Sequence, residues 1–466
     1  MQKNNLKRVL CSFPVLIILF SVLAACGQNA TDQTKTGQAE VKTQELNESA
    51  VLRFSFWGDP YEKKAVTDAL SAFTKKTGIK VNPVHIPADY ETKLTAMLAS
   101  NDPPDAGYLA APKAYTWFGE GELTNMNDFF KKDTDMKPED FIQASMFYYD
   151  ENSIIGLSPA IETYAIFYNK DIFDQAGLQR PPTKEKEAWT WEKFLETAKK
   201  LTVDKKGKNA TERDFDPKSI KQYGFYMNLW FGSLEALLAR NDAEYVINRG
   251  TEFGLDKPDA FGLLQNISDL MNKHHVMPSM VAQKSLPAAA VSLQTRKYAM
   301  TIDGQWALNG FARIDGLNFG IGVLPKFKNN NSVTGNSANV LFKKSKHPKE
   351  AWALLKYMAD PSSAITMYQG GLWMPTLKSW YSSPAKVSQW AENNKAHPAE
   401  YKDVFFNSII NSDKTIGELY IKNFGEINGK ISTALDGVWT GKKTAEQAMK
   451  ELEPSVSPLC KGVYGK

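Results

Sequence analysis

Residues 51–109 read VLRFSFWGDPYEKKAVTDALSAFTKKTGIKVNPVHIPADYETKLTAMLASNDPPDAGYL, and their pattern sets the fold class. Leu52, Phe54 and Phe56 alternate with Arg53 and Ser55, the two-residue period of a strand. Asp59-Pro60 supplies a helix cap and a first-turn proline. Val66, Ala69, Leu70 and Phe73 predict one apolar helix face, which Gly78 ends. A second apolar stretch follows with Ile79, Val81, Val84 and Ile86. A helix over Tyr90–Ser100 and a short strand at Ala106–Leu109 come next. Strand, helix, strand, helix, strand implies a parallel sheet covered on both faces.

Further along, the chain leaves this first lobe near Ile154-Ile155-Gly156-Leu157-Ser158-Pro159. Thr190-Trp191 opens an amphipathic helix through Leu201, and residues 203–222, with Lys205-Lys206-Gly207-Lys208, read as a polar surface loop. Strands are predicted at Tyr223–Met227, Tyr298–Ile302 and Phe319–Leu324, and helices at Phe261–Lys273 and Ala351–Ala359. There is no internal repeat.

The chain has 466 residues, 42% of them hydrophobic and 23% charged. That composition excludes a disordered, collagen-like or coiled-coil chain. The formal net charge of +4 is too balanced for a general nucleic-acid binder.

The N-terminus reads MQKNNLKRVLCSFPVLIILFSVLAACGQ. Lys3, Lys7 and Arg8 precede a short apolar stretch, and small residues stand at its exit, as in a secretory signal over residues 1–25. Leu23-Ala24-Ala25-Cys26 resembles a bacterial lipobox, in which the cysteine is acylated and becomes the first mature residue. The alternative is an ordinary signal with a chance cysteine. Cys11 then leaves with the signal and Cys26 carries lipid, so Cys460 has no intramolecular disulfide partner. Removing residues 1–25 takes away three positive charges and no negative ones, leaving about +1. Residues 26–50 are polar and read as a flexible tether with a span of roughly 25–30 Å.

Four stretches give the chain a resemblance. They are Phe56-Trp57-Gly58 with the helix ending at Gly78, and the segment Leu94–Asp105. The others are Glu162-Thr163-Tyr164 with Tyr168-Asn169-Lys170-Asp171-Ile172-Phe173, and Tyr298–Trp306 with Gly320–Pro325. The chain resembles the extracellular solute-binding proteins of ABC importers, in the group of maltose-type sugar receptors. The last 85 or so residues match only loosely, and the loop 203–222 departs from the family pattern.

The resemblance implies a type II periplasmic-binding-protein-like fold. Two α/β lobes, each a mostly parallel sheet flanked by helices, would be joined by crossing segments. The N-terminal lobe would comprise 51–160 with 327–378, and the C-terminal lobe 161–326 with 379–466. It further implies a lipid-anchored extracellular monomer that passes a carbohydrate to membrane permease subunits without a cofactor or metal of its own.

Aromatics carry the expectation of a sugar. A pyranose has an apolar C–H face that an indole covers at little entropic cost, and hydroxyl edges that carboxylates and amides answer. In open α/β sheets, ligands bind beyond the carboxyl ends of strands. Trp57, Trp230 and Trp306 stand at such exits, and Trp373 lies in Gly370-Gly371-Leu372-Trp373-Met374-Pro375. The resemblance places Trp306 and Glu162 in the cleft, and Tyr164, Asp303 and Asn228 are further candidates. Each of these has a packing or surface role as its alternative. Four candidate cleft tryptophans favour an oligosaccharide over a monosaccharide. Asp105 reads as a structural cap, and Trp117, Trp189, Trp191, Trp352 and Trp439 as packing.

No catalytic motif is found. Gly335-Asn336-Ser337-Ala338-Asn339 lacks the final glycine of a nucleophile elbow. His274-His275 are adjacent, so a helix would turn them about 100° apart. A carbohydrate-active enzyme and a sugar-sensing co-receptor remain the alternatives from other classes.

Overall fold

The computed structural model describes residues 46–392, 394–410 and 414–465. The expected signal, Cys26 and most of the expected tether lie outside the described residues. Of that tether, residues 46–50 are described and rest on the folded body. The Asn47 amide donates to Glu350 Oε1 at 2.9 Å, and Ala50 is buried. No helix among the described residues is long and apolar enough to cross a membrane.

The opening pattern folds as its periodicity dictates. Strand Val51–Phe56 lies between Lys80–His85 and Ala106–Leu109 and runs parallel to both. Pro83 is accommodated because its strand is at the sheet edge. Helix Pro60–Thr77 begins where the Asp59 side chain accepts from the amides of Tyr61 and Glu62, both at 2.9 Å. It ends at left-handed Gly78. Its apolar face buries Val66, Ala69, Leu70 and Phe73 against the sheet.

The first sheet has six strands, in the order Lys80–His85, Val51–Phe56, Ala106–Leu109, Ala338–Leu341, Ser153–Leu157 and Met146–Asp150. Only Ala338–Leu341 and the edge strand Met146–Asp150 oppose the other four. The second sheet has five strands, in the order Phe319–Gly322, Tyr164–Asn169, Tyr298–Gly304, Ile220–Met227 and Val203–Asp204. Three of these run one way.

The chain therefore passes from the first sheet to the second between Leu157 and Tyr164, and returns between Gly322 and Ala338. The two crossings bond to each other: the Glu162 amide donates to the Gly335 carbonyl, and the Gly335 amide donates to the Glu162 carbonyl, both at 3.0 Å. A further segment joins them, with the Ile161 amide donating to the Met374 carbonyl at 3.1 Å. The late helices Phe424–Trp439 and Ala445–Val456 pack on Pro258–Asn272, where Ser268 Oγ donates to the Val438 carbonyl at 2.7 Å.

Three expectations change. The strand expected from Tyr223 begins at Ile220, because Val203–Asp204 pairs with its start. The polar loop between them is organised around buried Asp204, which accepts from the amides of Lys206, Lys208 and Asp216 at 2.8, 2.9 and 3.0 Å. The five tryptophans expected to pack are all buried. Asp105 is buried and structural, but it ties segments together instead of capping a helix or turn: it accepts from the Arg53 amide of the opening strand at 2.8 Å and from Ser345 Oγ at 2.5 Å. Cys460 is a free, buried cysteine.

Phe54 is fully buried and lies edge-on to Tyr108, with ring centroids 5.8 Å apart. Replacing it with Ala should cost about 3–5 kcal/mol of stability. A urea unfolding curve of F54A against the parent measures this, and a loss below 1 kcal/mol would contradict the packing described.

Candidate functional site

Several elements converge on one cavity of about 220 Å³. From the first lobe come Trp57, just after the opening strand, Tyr108 from inside the third strand, and Glu62 from the first turn of helix Pro60–Thr77. Glu162 comes from the first crossing, Ser337 from the second, and Trp373 beside the segment that bonds to Ile161. Trp306, which directly follows strand Tyr298–Gly304, closes the far side.

The aromatic walls form two braced groups. On one side Trp57 stands edge-on to Tyr90 and Tyr108, with centroids 5.0 and 5.2 Å away. Trp373 is 6.4 Å from Tyr108 and edge-on to Tyr368 at 5.8 Å. On the other side Trp306 is edge-on to Tyr164 at 5.6 Å and to Trp230 at 6.0 Å. The Trp306 ring lies directly over Gly304, where an added Cβ would meet the indole at 2.0 Å. Gly58, at φ +116°, leaves room for the Glu62 carboxyl, whose Oε2 would be 2.3 Å from a Cβ there. Both glycines are required by close approach.

The carboxyls are held in an unusual state. Glu62 is only 9% exposed. Burial raises its pKa to about 8, the nearby Asp59 charge adds to the rise, and the Tyr108 phenol opposes it. Glu162 is half-buried, and its exposed part faces the cavity rather than open solvent. Burial, with the Glu62 charge, likewise raises it to about 8. Behind Trp306, burial raises Asp303 to about 6, although the Gly304 amide donates to its Oδ1 at 2.8 Å. The Tyr108 hydroxyl is buried and meets no partner at hydrogen-bond geometry, and the same holds for Tyr164.

Of the candidates read from the sequence, Trp57, Glu162, Trp306 and Trp373 share the cavity wall. Trp230 and Tyr164 do not line it but brace Trp306 from behind. Asp303 precedes that group on the strand and is also absent from the lining. Asn228 is exposed and is absent from the cavity lining. Glu62 and Tyr108 were not foreseen. An acid in a first helical turn reads as a partner of the helix dipole, and a tyrosine inside a strand reads as core.

The raised acids set a pH dependence of stability. A carboxyl whose pKa is higher in the folded state than in the unfolded state keeps its proton better when folded. Stability is then full below the unfolded value and falls as pH rises toward the folded one. Melting should drop by a few degrees between pH 5 and pH 8.5, and E62Q and E162Q should each flatten the slope; a thermal scan across this range measures it. G304V should leave the sheet folded yet push Trp306 out of its place, which quenching of the exposed indole by acrylamide would register.

Comparison with known proteins follows from this geometry. A family model described as bacterial extracellular solute-binding protein matches residues 68–398. A galactooligosaccharide-binding protein of Bacillus subtilis (strain 168) is 24% identical over 450 residues, 95% of each chain. The sn-glycerol-3-phosphate-binding periplasmic protein of Escherichia coli (strain K12) is 24% identical over 62% of this chain and 63% of that one. Among solved structures, an ABC substrate-binding protein from Listeria monocytogenes in complex with cycloalternan superposes with a TM-score of 0.74 at 20% identity. It covers 88% of this chain and 98% of that chain. A maltose/maltodextrin-binding domain from Bdellovibrio bacteriovorus bound to maltotriose gives a TM-score of 0.68 at 16% identity, over 88% and 99%. At these identities the structural likeness shows the fold, which is the two-lobe type II arrangement.

Proposed function

The chain belongs to the bacterial extracellular solute-binding proteins, and from that premise we propose that it is a receptor delivering an oligosaccharide to an ABC importer. The observation that carries this reading is the cavity walled by Trp57 and Trp373 on one side and Trp306 on the other, with Glu62 and Glu162 at its edges. The indoles cover the C–H faces of sugar rings, and the carboxyls and the Tyr108 hydroxyl serve the ring hydroxyls. Galactooligosaccharide binding by the Bacillus relative supports a saccharide ligand. The glycerol-phosphate ligand of the other relative fits less well, because two acids and no basic residue line this cavity.

The remaining parts of the proposal follow the sequence. Cys26 carries lipid that holds the protein at the outer face of the cell membrane, and the tether 26–50 acts as its leash up to the point where Asn47 meets the folded body. The lobes 51–160 with 327–378 and 161–326 with 379–466 rock about the crossings. Ligand closes them only through its higher affinity for the closed form. The closed pair then docks on membrane permease subunits. Trp230, Tyr164 and Asp303 hold Trp306 in position.

A thermal-shift screen of the mature protein against mono- and oligosaccharides tests the reading. A true ligand at 100 times its dissociation constant adds about 2.7 kcal/mol. Trp306→Ala should then weaken binding about 30-fold or more, the loss typical of a dominant aromatic contact, while Asn228→Ala leaves it unchanged. Sugars that shift nothing while amino acids do would remove the substrate class. Cleavage of the glycan during incubation would make the protein an enzyme.

A further inference from the structure

The carboxyls can serve neutral ring hydroxyls, but hydroxyls bring no counter-charge to a cavity whose charged residues are of one sign. Two of its lining side chains are acids and none is basic. Glu62 approaches from a helix of the first lobe and Glu162 from the crossing between lobes, so their carboxyls meet from different supports. Neither makes an ion pair with any of the described residues. Arg313, close to the same helix start, pairs with neighbours of Glu62 rather than with Glu62 itself. It lies 3.8 Å from Asp59 and 4.0 Å over the Tyr61 ring. In the second lobe burial raises the Tyr164 pKa, and the charges of Glu162, Glu235, Glu418 and Asp303 all add to the rise. The cavity is also lined by the indoles of Trp57, Trp306 and Trp373 and by the phenol of Tyr108, which is 1% exposed and interacts with Glu62.

Buried carboxylates without a counter-charge are costly. A neutral guest offers these carboxyls hydroxyl hydrogen bonds and offsets the cost only in part. A cationic guest removes it, and the indole faces add cation–π attraction. We propose that the saccharide received here carries a basic nitrogen, whose ammonium group lies between the Glu62 and Glu162 carboxyls and against the surrounding indoles. This deepens the oligosaccharide-receptor reading and rests on it. Sugar phosphates and uronates are excluded by the same acids.

Calorimetric titration of the mature protein tests it with matched probes. Glucosamine oligomers of two to four units are compared with their N-acetylated counterparts, which keep the skeleton and lose the charge. Neutral gluco- and galacto-oligosaccharides form a third arm. The free amines should bind at least tenfold tighter than the acetylated forms, and E62Q or E162Q should bring that ratio toward one. Thermal melting of each variant confirms that it folds, and the parent protein's own ratio decides the matter if one does not. Acetylated or plain oligosaccharides binding as tightly as the amines would overturn the nitrogen while leaving the receptor reading intact. Undiminished amine preference in both variants would overturn its placement at these acids. Binding of no saccharide from any arm would overturn both readings.

Discussion

Two reciprocal backbone hydrogen bonds between Glu162 and Gly335 hold the molecule's design together. They join two stretches of chain that pass from one large sheet to the other. An edge bond from Ile161 to Met374 adds the segment that carries Trp373. The linkage between the lobes and part of the cavity wall are therefore the same few residues. Those bonds pin the Glu162 backbone beside the cavity its side chain lines, and Trp373 stands one residue from another of them. A side chain at Gly335 would press on Ile416 at 3.1 Å. The crossing is thus held close on both sides.

The rest of the site is built by close approach to backbone. Trp306 rests on Gly304, and the Glu62 carboxyl fits beside Gly58. Each aromatic wall is braced edge-on by a second ring, Tyr108 behind Trp57 and Tyr164 behind Trp306. Edge-on contacts leave a ring's face available while removing its freedom to swing. The price of this construction is electrostatic. Closing apolar rings around carboxyls takes water from them, and the acids respond by holding protons to about pH 8. The apolar walls and the perturbed acids are therefore consequences of one geometry.

Much of this was legible in the residues. The alternation of Leu52, Phe54 and Phe56, the Asp59-Pro60 start and the Gly78 stop are local signals, and the structure places their elements accordingly. Trp57 and Trp306 were found because a strand exit is itself a local feature. Glu162 and Trp373 were found through a resemblance and a glycine-rich turn respectively. Glu62 and Tyr108 left no comparable mark. Glu62 sits where any helix welcomes an acid, and its burial depends on Trp57, Tyr108 and Glu162 arriving from distant parts of the chain. Asn228 follows a strand as Trp306 does, but it is exposed and absent from the cavity lining.

The sequence by itself determined the strand–helix alternation, the helix caps and the supply of aromatic residues at strand ends. Periodicity and capping act over a few residues, so a linear reading captures them. Tertiary structure alone decided which tryptophans face the cavity and which stand behind it, and that two acids 100 positions apart would share it. Those outcomes turn on loop direction and on what packs against each ring, and both are set by contacts between segments far apart in the chain.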